Sequence, residues 1–103
     1  MEQAEFVERL VNLRMDKGVS ARDMSLSLGQ NAGYINNIES GLNFPSMTVF
    51  FYICEYLGIT PKEFFDTDIV NPAKTNELYE ESKKLNSRQL NLLIALVKEM
   101  KRH

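Results

Sequence analysis

The chain has 103 residues and a formal net charge of −2 at pH 7, the size of one domain or of one domain with a helical extension. An apolar share of 44% is ordinary for a globular fold and argues against disorder. No apolar run approaches a membrane span, Glu2, Glu5 and Glu8 exclude a signal peptide at the start, and the single Cys54 has no internal disulfide partner, so the expectation is a soluble, cytoplasmic protein.

The first predicted helix covers about 3–17. Phe6, Leu10 and Leu13 form its core stripe with Met15 at the margin, and Gly18 ends it. Residues 20–41, SARDMSLSLGQNAGYINNIESG, then read as two short helices joined at Gly29, a helix-turn-helix. Ser20 caps the first of the pair, and Asp23 completes a capping-box pattern. Met24 and Leu28 share a face, and Gly29 supplies the left-handed stop. Asn31 caps the third helix, which buries Ile35 and Ile38 and ends at Gly41.

Pro45 and Ser46 open a fourth helix with Met47, Phe50, Ile53, Cys54 and Leu57 on a broad buried face, stopped by Gly58. Cys54, within VFFYICEYL, reads as a small core residue. Thr60, Pro61 and Glu63 are the cap, first position and capping-box partner of a fifth helix. Residues 66–72 form a joint. Asn71 and Pro72 start a sixth helix running to about 85, and Asn86 with Gln89 opens a seventh over about 87–101. No hairpin signal or sustained alternation is present, so no sheet is predicted. The domain reading is 1–68 for the helix-turn-helix domain and 69–103 for a helical extension.

The seventh helix is apolar on more than one face. Leu90, Leu93, Ile94 and Val97 make one stripe, and Leu92 with Leu96 widens it. One stripe can cover the chain's own domain; the remainder calls for a partner, and a second copy is the simplest. The alternative is a helix wrapped entirely by its own domain.

Charge is distributed against expectation for a nucleic-acid binder. Residues 1–68 carry five basic and ten acidic side chains, a net −5, while residues 69–103 carry seven basic and four acidic, a net +3. A DNA-binding domain normally shows a basic face. Other chemistry lacks its residues. The one histidine is the terminal His103, there is one cysteine, and no carboxylate pair sits in a recognisable motif, so neither an enzyme nor a metal site is expected. Nor is a cofactor, a membrane or a small-molecule substrate.

The ordered set Phe6, Leu10, Leu13, Arg14, Gly18, Val19, Ser20, Met24, Leu28, Gly29, Tyr34, Ile35, Ile38, Glu39, Gly41, Pro45, Ser46 and Leu57-Gly58-Ile59-Thr60 resembles the phage-repressor-like family of Cro and CI type regulators, also called the XRE family. The resemblance covers about residues 4–66. It implies an all-α fold: a five-helix lambda-repressor-like helix-turn-helix domain, here followed by a two-helix C-terminal extension of the kind that often serves dimerisation. It implies double-stranded DNA as partner, with the third helix in the major groove. Asn37 matches a base-reading position, and its amide can pair bidentately with adenine. Asn31 and Asn36 are secondary readers, Asn31 acting as a cap alone or as cap and contact. Ala32 can meet a thymine methyl, and Gly33 can allow close backbone approach. Lys17, Arg22, Asn43 and the backbone N–H groups at Ala21 are candidates for phosphate. Gln30 can reach a phosphate or a base. Arg14 and Glu39 are implied to form a partly buried ion pair between the first and third helices.

The sequence departs from that family in three places. Ala21 stands where glutamine usually contacts phosphate and braces the third helix. That helix opens on Ala32-Gly33 rather than on long polar readers. The loop before Pro45 is Leu42-Asn43-Phe44, without a cation. Two functions follow: a sequence-specific transcriptional regulator acting as a homodimer, or a protein-binding adaptor or antitoxin-like module with little DNA affinity. The acidic domain, Ala21 and the exposed Leu26 and Phe44 favour the second; the complete fold signature and the asparagine-rich third helix favour the first.

Overall fold

Seven helices, and no strand, make up residues 1–102, which the computed structural model describes. They are α1 (Gln3–Lys17), α2 (Ala21–Ser27), α3 (Tyr34–Glu39), α4 (Met47–Leu57), α5 (Pro61–Phe65), α6 (Pro72–Ser82) and α7 (Ser87–Met100). The fold is all-α with a helix-turn-helix at α2–α3. His103 lies outside the described residues.

Local chemistry sets most helix ends. Ser20, Ser46, Thr60 and Asn86 each accept a hydrogen bond from the backbone N–H three residues on, satisfying a donor that the helix itself leaves free. Thr60–Glu63 and Asn86–Gln89 form reciprocal capping boxes, whereas at α2 only the Ser20 half of that pattern forms among the described residues. Gly18 and Gly58 close α1 and α4 at φ 77° and 72°, a left-handed conformation costly for a residue with a Cβ. α6 ends at Ser82, three residues short of the expected 85.

The chain divides into two compact units, Met1–Ala73 and the residues from Lys74 onward. The core of the first unit joins Phe6, Leu10 and Leu13 of α1 to Met24, Ile35, Ile38, Phe50, Ile53, Cys54, Leu57, Ile59 and Phe64. Phe6 and Phe50 pack on Phe64 at ring-centroid distances of 5.0 and 5.1 Å. Burial pushes the Cys54 thiol up to about 11, so it is neutral at pH 7. Two expected core methionines are corrected: Met15 is 63% exposed and Met47 66%. Met15 follows Leu13 by two residues, about 200° around the helix, and so faces away from the stripe. Met47 is the first residue of α4 and lines a surface groove of about 280 Å³ with Phe44 and Phe65.

Arg9 is an unexpected core member. Its Nε donates to the carbonyl of Phe64 at 2.6 Å, and its Nη2 donates to those of Glu63 and Asp66 at 2.8 and 3.0 Å. One buried guanidinium thereby gathers carbonyls at the end of the five-residue α5, two of which also accept from the backbone, that of Glu63 from Asp66 N–H at 3.3 Å and that of Asp66 from Ile69 N–H at 3.2 Å.

The second unit holds most of α6 and all of α7. No residue of α7 is buried. Leu78 and Tyr79 of α6 and Leu90, Leu93, Ile94 and Val97 of α7 line an open apolar groove of about 460 Å³. Leu92 and Leu96 are 63% and 57% exposed and Met100 66%.

Candidate nucleic-acid interface

The turn between α2 and α3 is built differently from the sequence expectation. Gly29 takes φ 74°, and Gln30 N–H reaches back to the Ser25 carbonyl at 3.0 Å. Asn31 does not cap an α-helix opening at Ala32. Its Oδ1 instead accepts from Gly33 N–H at 3.1 Å, and its carbonyl accepts from Tyr34 N–H at 3.1 Å. This side-chain turn competes with helical geometry, so Ala32 and Gly33 belong to a turn and α3 begins at Tyr34.

The cap comes from across the motif. The fully buried Ser25 hydroxyl donates to the Ala21 carbonyl at 2.7 Å and accepts from Ile35 N–H at 2.9 Å. It thus satisfies an orphan donor of α3's first turn while fastening α3 to α2. Ala21 contributes a carbonyl to this brace and rests half-buried against the core. Ser25→Ala should leave a buried N–H without a partner, costing about 1–3 kcal/mol. Thermal unfolding checks it; Ser25→Thr, which retains the hydroxyl, should lose less.

The other end of α3 is held by charge. Arg14 Nε and Nη2 meet Glu39 Oε2 and Oε1 at 2.7 and 2.9 Å, a bidentate pair, and Nη1 donates to the Val19 carbonyl at 2.9 Å. Their side chains are only 16% and 12% exposed. The hydrogen bond to Glu39 raises the Arg14 pKa above its ordinary value. The pair therefore ties α3 to α1, as the family resemblance implied, and is turned inward.

Between these fasteners the buried Ile35 and Ile38 fix which side of α3 faces out. Gly33, Asn36, Asn37 and Ser40 follow one another at helical spacing on that side, with Asn36 exposed and Asn37 half-buried. Among the described residues neither side-chain amide is held by an intramolecular hydrogen bond; the bond at this position uses the Asn37 carbonyl and the Ser40 hydroxyl. Asn31 is exposed in the turn, Ala32 and Gln30 are half-buried there, and Asn43 is exposed in the loop after α3.

The cations are few. Of the five basic residues in 1–68, Arg9 and Arg14 are committed to internal bonds. Lys17 is exposed with Nζ 4.8 Å from the Tyr56 ring centroid, Arg22 is exposed on α2, and Lys62 is exposed on α5. The groove residues Leu90, Leu93, Ile94 and Val97 lie in the second unit, the first two half-buried and the last two exposed. The fasteners Ser25 and Arg9 were missed from sequence because each looks ordinary until its distant partner is known.

A family model described as a helix-turn-helix domain matches residues 7–68. The chain therefore belongs to the helix-turn-helix domain family, a class that points to DNA-binding regulators in general. No curated protein and no solved structure matches it. No helix among the described residues is long and apolar enough to cross a membrane.

Proposed function

We propose that this chain is a cytoplasmic, sequence-specific transcriptional regulator of the Cro/CI or XRE type, acting as a homodimer that places α3 in the DNA major groove. The observation that carries this reading is the outward stripe of α3. Asn36 and Asn37 present free amides on a helix pinned at its start by Ser25 and at its end by Arg14–Glu39. Rigid placement is what base-edge recognition needs, because a bidentate amide–base pair tolerates little displacement. The exposed apolar face of α7 supports self-association, and a two-fold dimer presents two copies of α3 to two half-sites.

Backbone attraction is weak in this account. Lys17 and Arg22 are the cations nearest in sequence to the start of α2, and they are the expected phosphate contacts with Ala21 N–H, Gln30 and Asn43. Lys17→Ala and Arg22→Ala should weaken binding to all duplexes alike, each lowering the salt slope by about one. Affinity measured from low to moderate salt checks this. Unchanged slopes for both variants would remove these residues from the interface.

One surface favours a protein-binding adaptor instead. Leu42, Phe44, Met47 and Phe65 are all large, apolar and exposed, as is Leu26, and the domain is net acidic. That reading predicts no sequence preference on any duplex and no salt-dependent loss in the two cation variants.

A further inference from the structure

We infer that the duplex this chain selects is rich in A·T pairs at the positions facing α3, a deepening that rests on the regulator reading above. Guanine is read in the major groove chiefly by Arg or Lys on its O6 and N7, and cytosine by a carboxylate on its N4 amino group. Residues 29–43, which comprise the turn, α3 and the following loop, contain no Lys or Arg. Their single carboxylate, Glu39, has both oxygens engaged by Arg14 at 2.7 and 2.9 Å. The side chains suited to a G·C pair are therefore absent or occupied.

What remains suits A·T. Asn36 and Asn37 each offer an amide whose carbonyl and NH₂ are both free, the arrangement that pairs bidentately with adenine N6 and N7. Asn31 differs: its Oδ1 already accepts from Gly33 N–H at 3.1 Å, and its NH₂ donors suit any base-edge acceptor, so it adds no preference of its own. Ala32 supplies a methyl group for contact with the thymine C5-methyl. Gly33 adds no side chain to hold the duplex away.

The test is selection of a random-sequence duplex pool on the full chain at moderate salt, followed by sequencing. The contacted positions are those whose preference relaxes in Asn37→Ala. Those positions should be A·T, and Asn37→Arg should convert an adenine preference into a guanine one. Uracil in place of thymine opposite Ala32 should weaken binding about three- to fourfold, the effect of one buried methyl. Selected sequences with G·C at the contacted positions would overturn this inference and leave the regulator reading standing. No enrichment of any sequence by a folded sample would overturn both.

Discussion

Arg14→Ala and Glu39→Ala should each destabilise the domain by about 2–3 kcal/mol, somewhat less than stranding one member of a fully buried pair, because this pair is partly buried. For a domain of this size that corresponds to a fall in Tm of roughly 10 °C or more. The reason lies in what is left behind. Without Arg14, the Glu39 carboxyl loses both of its guanidinium bonds at a site only 12% exposed, and the Val19 carbonyl loses its donor. Without Glu39, the Arg14 guanidinium retains only the Val19 carbonyl. Replacing both residues with apolar side chains of similar volume should cost less than either alanine change, because the desolvation of both charges disappears with their attraction. Thermal and denaturant unfolding of the three variants checks this. Three small and equal effects would mean that the pair does not hold α3 to α1.

Leu93→Asp with Val97→Asp should convert a dimer into a monomer, halving the mass in light scattering to the chain's 11.9 kDa. The groove these residues line is open, no side chain of α7 is buried, and Leu92, Leu96 and Met100 widen the exposed apolar surface. A helix with apolar side chains exposed this widely is stabilised by a further layer laid against it. Covering one Leu or Val completely contributes about 1.5–3 kcal/mol, so a second copy laid on this face gains several such increments. Charged residues placed at the centre of that contact carry a desolvation cost that Lys101, one turn beyond Val97 in the same groove, offsets only in part. A wild-type chain that is monomeric at tens of micromolar would contradict the assignment.

Sequence legibility followed the range of each interaction. The caps at Ser20, Ser46, Thr60 and Asn86 were readable because donor and acceptor lie three residues apart. Phe6, Leu10 and Leu13 announced α1 through helical spacing alone. Arg14–Glu39, 25 residues apart, was accessible only through family resemblance. Arg9 bonds to carbonyls 54 to 57 residues away, and nothing local distinguishes it from a solvated arginine. Ser25 was invisible for a related reason: its partner at Ile35 is near in sequence but lies beyond a turn whose shape the asparagine decided. Asn31 shows how local signals compete, since the same side chain that favours a helix cap also closes a turn onto Gly33. The charge count was readable, but not that two of the domain's five cations are turned inward.

The central claim is that the outer face of α3 reads base pairs. The most direct measurement is the ratio of affinities for a selected duplex and a scrambled duplex of the same composition, for wild type and Asn37→Ala at one salt concentration. The wild-type ratio should be at least about 10³. Asn37→Ala should lower it by roughly tenfold or more, the loss of one bidentate base contact, while affinity for the scrambled duplex stays nearly unchanged. A wild-type ratio near one, or a ratio unmoved by Asn37→Ala in a folded, dimeric sample, would contradict the account.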